Sequence, residues 1–238
     1  MKRVLILSLT ALSLLAGCGA KEEKTDKILL GEAKTYLKKQ YYEDAGKSLD
    51  TLMQMYPNSP LAHNVKALRE EINVGIAERE KRLEALMPSL RVETDDIKNS
   101  AWYYDKTTSE YKDHVSLCIT KRPDGKFYLI YEIYYHSLSW LYVTDYIIKA
   151  DGKIYEIQPA GAIKVHRERE EGVCREWYNN FVDRRTFEII KAIINSKEAK
   201  VRHNGKFYAD VEITREEKAA MQNILNAYQA LGGKLEFN

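Results

Sequence analysis

Two periodicities divide this chain of 238 residues. Between residues 26 and 86 the apolar positions recur at helical spacing. Leu29, Ala33, Tyr36 and Leu37 mark one face, and Ala45, Leu49, Leu52 and Met53 mark a second; the polar run KKQYYED between them reads as a turn. The stretch Tyr56-Pro57-Asn58-Ser59-Pro60 punctuates the pattern. After it Leu61, Val65, Leu68, Ile72, Ile76, Leu83 and Leu86 run close to a heptad, which predicts a third helix over 60–86 of about 40 Å. Ser59 suits its N-cap and Pro60 its first helical position. Pro88 ends it.

Beyond Pro88 the period falls to about two, so a domain boundary is expected there, with a helical section over 26–87 and a β-rich section over 88–238. Pro123-Asp124-Gly125, Asp151-Gly152 and Asn204-Gly205 are turn signals flanked by strand-like runs, and each predicts a hairpin. Strands are expected near 89–96, 100–105, 114–122, 126–136, 139–149, 153–158, 163–169, 173–179, 198–203 and 206–213. Helices are expected near 183–195 and 214–231, the second opened by a Thr214/Glu217 capping box. So many strands call for two packed sheets. The fold class is α+β: a helical hairpin with a long third helix, then a mainly antiparallel, sandwich-like domain carrying two helices.

Met1, Lys2 and Arg3 precede a mostly apolar run from Val4 to Leu15. About a dozen apolar residues make a secretory signal rather than a membrane span, which needs roughly 20. The run ends in Leu15-Ala16-Gly17-Cys18, which resembles the bacterial lipobox. The resemblance implies a signal peptide over 1–17 and acylation of Cys18 by diacylglyceryl and palmitate-type chains. It also implies an extracytoplasmic protein held on the cell membrane or the outer membrane. Two or more acyl chains make such an attachment stable. Residues 18–25, too polar to build a core, read as a tether.

The helical section resembles a single tetratricopeptide repeat. Ala33 and Ala45 stand at the family's small positions, Leu49 and Leu52 at its next two, and Pro57 closes the unit. Small residues let paired helices approach closely; Leu52, where the family has a small residue, implies wider packing. One repeat cannot stack a core alone. Two readings stay open: a protein-docking module, or a scaffold with no partner.

Charge narrows the partners. The chain has 37 basic and 35 acidic residues, and without Lys2 and Arg3 the balance is even. Nucleic-acid binders show a basic excess, so none is expected. Cys118 and Cys174, both in predicted strands, form either a disulfide or two buried thiols. The five histidines show no metal-ligand spacing, and no metal or cofactor is expected. No nucleophile elbow or phosphate-cradling glycine loop occurs, so the chain reads as a non-enzyme, with a hydrolase as the remote alternative.

The aromatic stretch 126–149 is the candidate recognition element, read as a hairpin. Phe127, Leu129, Tyr131, Ile133 and Tyr135 form a core face on its first strand, while Tyr128, Glu132, Tyr134 and His136 mix aromatic with polar. Trp140, Tyr142, Thr144 and Tyr146 share one face of the second. Tyr128, Tyr134, His136, Trp140 and Tyr142 are therefore the candidate contacts for a partner or a ligand. The charge-dense run VHREREEGVCREW, residues 165–177, reads as a solvated, charge-protected edge. The leading expectation is a non-catalytic module that binds another envelope protein; the alternative is an envelope glycan or small solute.

Overall fold

Thr25 opens the first helix, its hydroxyl accepting from the Ile28 amide, and α1 runs over Asp26–Lys38. The computed structural model describes residues 25–109, 111–159 and 164–237. The expected signal peptide, Cys18 and the expected tether as far as Lys24 lie outside them. Among the described residues no helix is long and apolar enough to cross a membrane. The chain forms two compact units, one reaching Ile72 and the other starting at Asn73.

In the first unit α1 packs against α2 (Tyr42–Met55). Ala33 and Ala45 are 1 % and 0 % exposed, so the two helices close where the side chains are smallest. Leu49 and Leu52 are fully buried. Ser59 ties the far end of the unit to its start: its hydroxyl donates to Asp26 at 2.7 Å and accepts from the Leu61 amide at 3.2 Å. The third helix, α3 (Ala62–Leu86), accordingly starts after Pro60 rather than at it. Val65, Leu68 and Ile72 are buried. The units divide within α3 and not at Pro88, because Leu86, in its later half, packs against the core of the second unit. The change of period marks where secondary structure switches, and packing divides elsewhere.

The second unit holds two antiparallel sheets. The six-stranded sheet has the order β1 (Leu90–Asp95), β2 (Ser100–Asp105), β3 (His114–Lys121), β4 (Phe127–Ser137), β8 (Val173–Phe181), β7 (His166–Glu170). The four-stranded sheet has the order β10 (Tyr208–Glu212), β9 (Ala199–Gly205), β5 (Val143–Ala150), β6 (Lys153–Ile157). Helices α4 (Arg184–Asn195) and α5 (Arg215–Ala230) complete it, each opened by a side-chain cap, Asp183 for α4 and the Thr214/Glu217 box for α5. The first two predicted turns join paired strands; the third hairpin also forms, but Asn204 and Gly205 end β9 and Lys206-Phe207 make the turn. One core unites Leu117, Ile119, Ile133 and Tyr178 of the larger sheet with Tyr146, Ile148 and Val201 of the smaller, and with Ile193, Met221 and Ile224 of the helices.

One expectation needs correction, and one open alternative is decided. The stretch 126–149 is not a hairpin: β4 pairs with β3 and β8, whereas β5 pairs with β6 and β9. Each strand thus has both edges filled by other partners, and residues 138–142 carry the chain from one sheet to the other. Cys118 and Cys174 are free, buried thiols. Cys118 lies opposite Ile130 and Cys174 opposite Ser137 on the intervening β4. Seven residues along a strand separate them by roughly 23 Å and put them on opposite faces, far beyond the 7 Å a disulfide tolerates between Cα atoms.

Candidate functional site

In the larger sheet, residues 115, 117 and 119 of β3 and 129, 131, 133 and 135 of β4 enter the core. Their neighbours, alternating by the pleat, build the opposite face. A row of four rings crosses four strands there. His114 stacks on Tyr134 at 5.1 Å, Tyr134 on Trp177 at 6.0 Å, and Trp177 on His166 at 5.1 Å. The register sets this ladder, since His114, Trp177 and His166 lie opposite Tyr134 or one another. Further along, Trp102 stacks on Tyr104 at 6.4 Å. Tyr128 meets Phe181 edge-on at 5.6 Å, with the Arg122 guanidinium 4.8 Å from both rings.

Polar groups lie between the ring rows. Ser116, Glu132 and Asn179 are in register across β3, β4 and β8. The His114 Nδ1 approaches the Lys112 carbonyl at 3.0 Å, which places its hydrogen there and turns Nε2 toward Glu132 at 3.6 Å. That separation exceeds hydrogen-bond length. Burial, then the Glu132 charge, pushes the Cys118 thiol far up, and burial first of all does the same to the Tyr104 hydroxyl. Both are held protonated at neutral pH. Next to the ladder, Asp113 accepts from the His136 amide at 2.6 Å; burial raises its carboxyl above the usual range.

A pocket of about 320 Å³ opens on this face, lined by Trp102, Ile130, Lys164, His166, Asn179 and Phe181, with Asn180. Trp102 on β2 and His166 on β7 have three strands between them, and the curl of the sheet brings both to one pocket. Among the described residues no cluster of three His, Cys, Asp or Glu could hold a metal. No family model, curated protein or solved structure matches this chain.

The five expected contacts fall in two places. Tyr128, Tyr134 and His136 lie on β4 along the ring-bearing face, although Tyr134 is buried within its ladder. Trp140 and Tyr142 lie apart, on the link between the sheets, 6.3 Å from one another. Thr144 is exposed and Tyr146 fully buried in the core, so the shared face expected for 140–146 does not form. Sequence reading missed Trp102, His166, Trp177 and Asn179, because it had no means to pair β4 with β8.

It also missed Glu176. In β8 the even positions 174, 176 and 178 are buried, and a glutamate in that series is the anomaly that marks it. Its Oε1 accepts from the Leu141 and Tyr142 amides at 2.6 and 3.0 Å. Oε2 accepts from the Val143 amide at 2.8 Å and from Arg167 Nε at 2.9 Å. The charged run 165–177 is thus solvated along β7, where every residue is exposed, but not along β8.

Proposed function

We propose that this protein is a lipid-anchored, extracytoplasmic binding module of the bacterial envelope, non-catalytic, whose ring-lined sheet face takes a saccharide-type ligand. The observation that carries this reading is the pocket itself. Trp102 and Phe181 offer flat apolar surfaces, and Asn179, Lys164 and His166 surround them with donors and acceptors. Aromatic faces with polar rims suit sugar rings, which are apolar on their C–H faces and polar at their edges. Anchorage rests on the lipobox resemblance at Leu15-Ala16-Gly17-Cys18.

Titration with soluble glycan fragments of the bacterial envelope, followed by tryptophan emission, tests the ligand reading. Trp102→Ala is expected to weaken binding at least about tenfold, the loss of one stacking ring. Binding equal to that of the parent would dispose of the site.

A second surface supports the protein-partner reading. In the first unit a groove of about 520 Å³ is lined by Leu37 and Leu68 with Lys34, Lys38 and Glu71. Its apolar floor and charged rim suit an amphipathic protein segment. A photo-crosslinker at Leu37 in living cells should yield one defined adduct that Lys38→Glu diminishes. A smear of unrelated adducts would count against this groove.

A further inference from the structure

A second apolar surface lies away from the ring-lined face. Leu138, Tyr142 and Phe207 are 77 %, 47 % and 54 % exposed. The Trp140 ring stands 6.3 Å from that of Tyr142, and the Lys206 ammonium lies 5.9 Å from Tyr142 and 5.5 Å from Phe207. Two loops contribute: the 138–142 link between the sheets and the turn joining β9 to β10.

The tip is held rigidly. The Phe207 amide donates to the Leu141 carbonyl at 3.1 Å. A Cβ on Gly205 would come within 2.3 Å of the Tyr142 carbonyl oxygen, so the two loops touch backbone to backbone. From beneath, Glu176 grips the amides of Leu141, Tyr142 and Val143. Tyr142 has φ of 57°, a costly conformation for an aromatic residue that persists where the surroundings impose it. A bulky side chain is therefore fixed in solvent, and the ordering cost of binding is met in advance.

Charge and side-chain chemistry select the occupant. Asp145, on the adjoining strand, is engaged by Asn204 and Thr144, and Arg202 by Asp210. Lys206 makes ring contacts and no ion pair among the described residues. The tip thus offers aromatic and aliphatic groups with one uncommitted cation. Trp and Tyr favour the headgroup layer of a bilayer, and lysine reaches from it to phosphate.

We infer that this tip is a lipid-surface contact, which inserts Leu138, Trp140, Tyr142 and Phe207 shallowly among the headgroups of an anionic leaflet and sets Lys206 on their phosphates. The inference rests on the envelope reading only for the presence of a membrane; neither acylation nor the glycan pocket enters it.

The test uses a chain beginning at Gly19, which keeps every described residue and lacks both signal and acyl group. It is floated with phosphatidylcholine–phosphatidylglycerol vesicles and with phosphatidylcholine alone. The chain is expected to float with the anionic vesicles, with blue-shifted Trp140 emission. Trp140→Ser with Phe207→Ser should lower partitioning at least about tenfold, and Lys206→Glu should erase the preference for anionic lipid. Trp102→Ala, in the pocket, should leave vesicle flotation unchanged. Unaltered thermal midpoints would confirm that the variants fold. No flotation of the parent, or flotation that the double variant leaves intact, would overturn the inference.

Discussion

Glu176→Ala is expected to lower the unfolding free energy by about 4 kcal/mol, the cost of breaking a buried charge pair by removing one partner. The carboxylate is 0 % exposed and all its acceptor capacity is used by three amides and Arg167. Alanine would leave three amide donors unsatisfied at the crossing between the sheets and take the carboxylate from the partly exposed Arg167. Glu176→Gln keeps one acceptor oxygen but turns an amide group toward donors, and should cost less than alanine yet remain destabilising. Urea unfolding measures both. A loss below about 1 kcal/mol for alanine, the scale of an ordinary single hydrogen bond, would mean that the link is held by other contacts.

His203 supplies the second large effect, a stability that declines in acid. The imidazole is 0 % exposed, lies 5.5 Å from the Tyr135 and Tyr146 rings, and neither of its nitrogens has a hydrogen-bond partner among the described residues. Burial, with a smaller contribution from His114, lowers its pKa from 6.5 to about 4. The native state therefore stays neutral while the unfolded chain takes up a proton below pH 6.5. The histidine's contribution to stability should fall as pH drops from 6.5 to about 4, by about 3 kcal/mol in total, and change no further once both states are protonated. Asp113, whose carboxyl is raised by burial, acts in the opposite direction at the acid end, because its protonation favours the native state. Comparison with His203→Phe isolates the histidine: the variant should show a flatter stability profile over this window. Parallel profiles for parent and variant would remove His203 as the cause.

Much of the architecture was legible because its signals are local. Alternation fixed β2 to the residue, and the Asp-Gly and Pro-Asp-Gly turns placed two hairpins. The Thr214/Glu217 box placed α5. Pairing is not local, and there the reading stopped. Strands β4 and β5 follow one another in sequence yet lie in different sheets, since a five-residue link held by Glu176 reads like the start of a strand. The same ignorance of partners left the two cysteines as a conceivable bond when β4 lies between their strands. The site was half legible: Tyr128, Tyr134 and Glu132 share a face by alternation alone, while Trp177, His166 and Trp102 reach it only through the order of six strands.

The three tryptophans report separately on this account, since Trp102 and Trp177 lie on the ring-lined face and Trp140 on the exposed tip. The most direct measurement is the nuclear magnetic resonance of their indole N–H groups during titration with envelope glycan fragments. The account predicts shifts for Trp102 and Trp177 with Trp140 unmoved; a response confined to Trp140, or none from Trp102 and Trp177 at saturating ligand, would contradict it.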